Sequence, residues 1–232
     1  MGAAREADSG CFTMAGRTDD LDVSGHRETG ASRGNGRRVT KHILLVVGHP
    51  DASAQHLCHA LARAYENGAI SGGHSVECID LGRLDFPILR SKRDWDEGAA
   101  PQTLRKAQAS FKSADHLVII YPLWLGGMPA LLKGFLEQVL RPDIGFSVDH
   151  AAVRGRPLKG CSARIVVTMG MPALAYRWYF GAHSLKALRR NILGFLGVAP
   201  VRETLIGGIE SLDERRVDTW LSRLHRMGRD AS

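Results

Sequence analysis

His42-Ile43-Leu44-Leu45-Val46-Val47-Gly48-His49-Pro50-Asp51-Ala52-Ser53 is a six-residue apolar run that ends on a glycine and a short polar loop. A run this short, without polar alternation, is the mark of a strand covered on both faces. The stretch Ala54 to Asn67 reads as a helix, with Ser53 placed to cap it. Strand, tight loop and helix form half of a parallel βα unit, and the rest of the chain repeats the pattern.

Gly72-Gly73 turns the chain into a second strand, His74 to Asp80. A long loop over 81–100 carries Phe86, Pro87, Ile88, Leu89 and Trp95. Pro101 then opens a helix to about Ser113. His116 to Tyr121 is a third buried strand, and Pro129 opens a helix to about Leu140. Ala163 to Thr168 is a fourth strand. Tyr179 to Leu196 reads as helical with a break near Gly194. Val201 to Ile206 is a fifth strand, and Leu212 to Met227 a final Arg-rich amphipathic helix. Five βα repeats predict an α/β three-layer sandwich with a five-stranded parallel sheet in the flavodoxin-like order 2-1-3-4-5. Ligands of such sheets sit at the carboxyl ends of the strands, which selects the loops 48–56, 121–128 and 168–179.

Residues 1–40 hold six Arg, six Asp/Glu and seven Gly, with no apolar periodicity. They are expected to be a disordered N-terminal extension, leaving 41–230 as one domain. The net charge of +7 therefore belongs to the folded part, where it suits a phosphate-bearing ligand or an anionic substrate. Nucleic acid is the competing reading, but zinc-finger spacing, RNA-binding aromatic signatures and a basic stripe are all missing. The uncharged run Leu117 to Leu132 is interrupted by Pro122, Gly126, Gly127 and Pro129, so no membrane span is read. Cys11, Cys58, Cys78 and Cys161 are scattered, as expected of a reduced cytoplasm.

The three loops narrow the chemistry. No GxGxxG follows the first strand, and neither GxxxxGK[ST] nor GxSxG occurs. The first loop offers a helix N-terminus for phosphate, with His49 and Ser53 as side-chain donors, or simply a capped helix. The second, Tyr121-Pro122-Leu123-Trp124-Leu125-Gly126-Gly127-Met128-Pro129, puts large apolar groups where a polar loop is expected. It reads as a flat shelf for a planar ring, against the plainer reading of Trp124 as a core cap. The third, Thr168-Met169-Gly170-Met171, lets a ligand approach at Gly170. Tyr176, Tyr179 and His183 follow it, as proton donors or as packing. His49, His56 and His59 raise a metal reading, but no Cys or carboxylate completes a ligand set.

The strand-Gly-His-Pro-x-x-Ser opening and the block Tyr-Pro-Leu-Trp…Met-Pro-Ala-Leu-Leu-Lys-Gly resemble the NAD(P)H:quinone oxidoreductase family, over roughly 42–210. The resemblance implies FMN or FAD, with FMN favoured by the shorter chain. It also implies NADPH or NADH as donor, ping-pong transfer of two electrons to a quinone-like acceptor, and a homodimer. It places His49, Ser53, Ala54 and Gln55 on the cofactor's phosphate side. Pro122, Leu123, Trp124 and Leu125 fall on its ring, and Thr168, Met169, Gly170 and Met171 on a second flavin loop. Tyr176 falls where the family's active-site Tyr stands. The family's His falls at Ala182, one position before His183. Met169-Gly170-Met171 replaces a common Thr-Gly-Gly, and Glu137-Gln138 a common Asp-Arg. A flavin- or nucleotide-binding regulatory subunit of a membrane transporter is the alternative within the same family. An electron-carrying flavodoxin fits poorly with the positive charge.

Overall fold

The computed structural model describes residues 39–52, 56–149 and 152–232. Thr40–Ser232 forms one compact unit. The extension expected over 1–40 falls almost wholly outside the described residues.

Five strands follow one another into the sheet through helical crossovers. β1 (His42–Val47) leads to α1 (Leu57–Ser71) and β2 (Ser75–Asp80). α2 (Lys92–Glu97) and α3 (Arg105–Ser113) lead to β3 (His116–Pro122), and α4 (Ala130–Val139) follows. A small antiparallel pair, β4 (Ser147–Asp149) and β5 (Ala152–Arg154), precedes β6 (Ser162–Thr168). A π-helical turn (Ala175–Tyr179), α5 (His183–Lys186) and a second π-helical stretch (Ala187–Gly194) lead to β7 (Val201–Ile206). α6 (Glu214–Arg229) closes the chain. The large sheet runs β2-β1-β3-β6-β7, every pair parallel. Counted along the sheet alone, this is the order 2-1-3-4-5.

The period of two along each strand divides the core into two layers. Leu44 and Val46, with Leu117, Ile119 and Tyr121, face α3, α4 and the segment after β6. Ile43, Leu45 and Val47, with Val118 and Ile120, face α1 and α6. Each such side chain, fully buried, contributes about 1.5–3 kcal/mol over exposure. α1 and α6 meet almost backbone to backbone. A Cβ on Gly68 would sit 1.9 Å from the His225 carbonyl oxygen, and one on Gly228 would sit 2.0 Å from that of Tyr65.

Three local expectations need correction. α1 begins at Leu57 with His56 as its N-cap, so Ser53 is not the cap; Ser53, Ala54 and Gln55 lie outside the described residues. The helix expected over Tyr179–Leu196 starts earlier, at Ala175, and its break falls at Gly181 and Ala182 rather than near Gly194. Both residues have positive φ (65° and 48°), which no helix continues through. The long loop 81–100 contains α2, capped by the Ser91 hydroxyl accepting from Asp94 N. This segment folds back on its own chain: Phe86 and Trp95 pack on the core, and buried Gln138 donates to the Pro87 carbonyl at 2.6 Å. The Glu137-Gln138 departure thus has a structural use, although Ile88 of the same segment remains exposed.

Candidate functional site

Parallel pairing puts the carboxyl ends of β1, β3 and β6 side by side, so their three loops converge on one edge. Gly48 N donates to the Ile120 carbonyl at 2.7 Å, and Leu123 N to the Thr168 carbonyl at 2.7 Å. The first bond joins the β1 loop to β3, and the second joins the β3 loop to the end of β6.

The β3 loop is a miniature hairpin. Trp124 and Gly127 exchange two backbone hydrogen bonds of 2.9 Å, with Leu125 (φ 46°) and Gly126 (φ 74°) at its tip. Two consecutive positive φ values define the turn type that matches strand twist. Glycine fits the second position, whereas Leu125 holds a left-handed conformation at a cost of roughly 1–2 kcal/mol. Its side chain is fully exposed and that of Trp124 is half exposed, while Pro122 is buried and Leu123 packs on the core. The apolar shelf read from the sequence is therefore Trp124 and Leu125, presented outward. Such a strained, solvent-facing apolar tip fits a ring laid against it.

On the β1 side, His49 is 8% exposed and meets Trp124 edge-on at 5.8 Å between ring centroids. His49 Nδ1 lies 3.1 Å from Asp51 N and 3.3 Å from the Asp51 carbonyl oxygen, so both polar groups of that residue's backbone meet the same ring nitrogen. His56 stacks flat on His49 at 3.9 Å, and its Nε2 meets Asp51 Oδ2 at 2.5 Å. Burial, then the neighbouring His56, lowers the His49 pKa.

On the β6 side, Thr168 is buried and its hydroxyl shares a hydrogen bond with the Cys58 thiol at 3.3 Å. Burial pushes that thiol up to about 11. Met169 points into the core, and Met171 packs on it. Gly170 is exposed, and a Cβ there would meet Glu210 Oε1 at 3.2 Å. Of this predicted flavin loop, Gly170 is exposed and Met171 partly so, while Thr168 and Met169 are buried.

Tyr176 is 2% exposed, and its hydroxyl bonds Ser184 Oγ at 3.0 Å. Ser184 in turn flanks the hairpin: a Cβ on Gly127 would lie 3.9 Å from Ser184 Cβ. Nearby, Tyr121 has a buried hydroxyl without a hydrogen-bond partner among the described residues. Burial, then Tyr176, raises its pKa. His183 is exposed and folds over Gly181, whose Cβ would lie 2.7 Å from His183 Nε2. The structure therefore brings Tyr176 to the hairpin through Ser184 and holds His183 at the helix break beyond it. Trp178 and Tyr179 stand in solvent on the same turn.

The sequence reading missed Ser184, which no spacing announces. It also missed Asp80, whose Oδ2 lies 3.5 Å from His59 Nε2; an acid at the carboxyl end of β2 was the available signal.

The sequence matches the family model described as flavodoxin-like fold over residues 41–226. The chain belongs to this family. Family relatives include the FMN-dependent NADH:quinone oxidoreductase of Nitratidesulfovibrio vulgaris, 32% identical over 202 residues, 76% of this chain and 93% of that one. An uncharacterized NAD(P)H oxidoreductase of Haemophilus influenzae is 27% identical over 176 residues, 74% of this chain and 86% of its own length. A solved structure from Streptococcus mutans superposes with a TM-score of 0.67 at 27% identity, covering 81% of this chain and 98% of that one. The NAD(P)H:quinone oxidoreductase from Methanothermobacter marburgensis shares the fold, with a TM-score of 0.69 at 23% identity over 82% of this chain and 96% of its own.

Proposed function

We propose that this chain is an FMN-dependent NAD(P)H oxidoreductase that passes two electrons to a quinone-like acceptor. The observation that carries the reading is the convergence of an outward apolar hairpin, Trp124-Leu125, with the imidazole-lined start of α1. A planar ring with a phosphate tail has those two needs. Relatives named as FMN-dependent NADH:quinone oxidoreductases support it.

Bound FMN supplies the hydride-accepting ring; the protein supplies binding, orientation and electrostatics. His49 and the first turn of α1 hold the phosphate, with Ser53, Ala54 and Gln55 assigned to the same side from the sequence. Pro122, Leu123, Trp124 and Leu125 set the ring plane. The exposed backbone at Gly170, held in place by Thr168, Met169 and Met171, and the Tyr176 hydroxyl offer hydrogen bonds to a ring gaining negative charge. His183 stands at the acceptor's entrance as a proton source.

The chain acts as a homodimer. Leu125, Leu174, Trp178, Tyr179 and Phe180 form an exposed apolar group at this edge, which a second copy would cover. Cys58 and Cys161 are buried free thiols, in keeping with a reduced, cytoplasmic setting. Among the described residues, no helix is long and apolar enough to cross a membrane.

A visible spectrum before and after anaerobic NADPH tests the reading. Flavin bands that bleach support it. A colourless protein that takes up no added FMN overturns it, and bands that resist both NADPH and NADH overturn the reductase assignment.

A further inference from the structure

The start of α1 carries more imidazole than a phosphate site needs, and one ring there makes no hydrogen bond among the described residues. His49, His56 and His59 lie with ring centroids 3.9, 5.7 and 6.0 Å apart. His59 is 7% exposed, and neither of its ring nitrogens has a hydrogen-bond partner among the described residues. Asp80 Oδ2 stands 3.5 Å from its Nε2, close enough to attract an imidazolium but outside hydrogen-bond geometry. A buried imidazole with two idle nitrogens is a cost the fold carries unless something reaches it.

The surrounding charge decides what that is. Asp51 holds His56 at 2.5 Å, and Asp80 lies beside His59. Arg83 reaches Asp80 at 3.2 Å, and Arg63 follows His59 by one turn of α1. Trp124, from the β3 hairpin, and Cys58, whose thiol stays neutral, add no charge. Arg83 thus offsets one of the two carboxylates, while the exposed Arg63 stands one turn farther along α1. With the imidazoles neutral, the cluster offers an anion no net positive charge. Each proton added to an imidazole supplies one, and three rings this close accept protons together only when an anion offsets their repulsion.

We propose that His49, His56 and His59 bind the flavin's phosphate together with protons taken up from solvent, so that FMN affinity falls as pH rises. This rests on the FMN reading above and adds two phosphate-binding residues, His56 and His59, and a proton linkage. The linkage separates FMN from riboflavin, which has the same ring and no phosphate. The phosphate's own second ionisation, near about pH 6, works in the opposite sense, because the dianion gained on raising the pH binds a cationic site better.

The test is a flavin titration of the purified full chain, freed of bound flavin, followed by flavin fluorescence from pH 6.5 to 8.5. For wild type the FMN Kd should rise by up to about tenfold per pH unit for each proton taken up. The riboflavin Kd should stay level. His56→Asn keeps a good N-cap; it should weaken FMN, flatten its pH profile and leave riboflavin as in wild type. His59→Asn should flatten the profile as well. FMN and riboflavin profiles that run parallel, or an FMN affinity that grows with pH, overturn the proposal. So does a wild-type slope in both variants. Wild type that binds neither flavin at any pH overturns the FMN reading itself, whereas FMN binding with a flat profile overturns this inference alone.

Discussion

The Tyr176 hydroxyl lies 3.0 Å from Ser184 Oγ, and this bond spans the helix break at Gly181 and Ala182. It ties the β6 loop to the residue that flanks Gly127 of the apolar hairpin. The phenol is thus held in one place beside the proposed ring site, where a mobile side chain would pay entropy each time it donated a hydrogen bond.

Tyr176→Phe should slow flavin reduction by about 100-fold, the lower end of the range for one lost donor to developing charge. FMN affinity should change by less than about threefold, since the ring and phosphate contacts remain. Ser184→Ala should show a smaller effect of the same kind. Anaerobic stopped-flow bleaching measures both; an unchanged rate in Tyr176→Phe removes the assigned role.

Leu125 pays for its position in backbone strain. Leu125→Gly should raise stability by about 0.5–1 kcal/mol, the left-handed penalty less the added chain entropy. It should also weaken FMN binding by about tenfold, because roughly 1.4 kcal/mol of apolar contact is lost. Urea melts and fluorescence titration read the two effects. Equal FMN affinity in wild type and variant would take Leu125 out of the shelf.

Gly228→Ala should destabilise by about 3 kcal/mol or more, because the new methyl would enter the space of the Tyr65 carbonyl, 2.0 Å away. The α1–α6 pair would have to part. A melting temperature within a few degrees of wild type would show that the two helices have room to separate.

His116 is buried at 1% exposure on β3, with Nδ1 on Ser162 Oγ at 2.7 Å. Burial first, then Lys41 and Arg164, lowers its pKa to about 3. The unfolded chain binds this proton near pH 6.5 and the folded chain does not, so stability falls as pH drops from about 6.5 toward 3. At pH 5 the loss should be about 2 kcal/mol relative to pH 7.5. His116→Gln should lessen that loss in urea melts; an identical pH slope would assign it to other groups.

Much of the fold was legible because it rests on local signals. Five apolar runs bounded by Gly, Pro and polar loops marked all five strands of the sheet within a residue or so, and βα alternation then permits few sheet orders. The helix after β6 was misjudged because its break lies in the φ values of Gly181 and Ala182. Ala182 is an ordinary helix former, so nothing in its side chain marks a left-handed residue. The short α2 was passed over because Phe86 and Trp95 are spaced irregularly, and a buried Gln138 from another helix decides their direction.

The site divides along the same line. The sequence alone determined which loops meet at the carboxyl ends of the strands and that Trp124 and Leu125 are apolar where a loop should be polar, since both follow from strand order and residue type. Only the tertiary structure decided that Met169 turns inward, that Ser184 anchors Tyr176, and that His59 stands buried beside Asp80. Those relations join residues far apart in the chain, or turn on a side chain's direction. The packing of β2, α1 and the segment after β6 sets them, and no local pattern of residues encodes it.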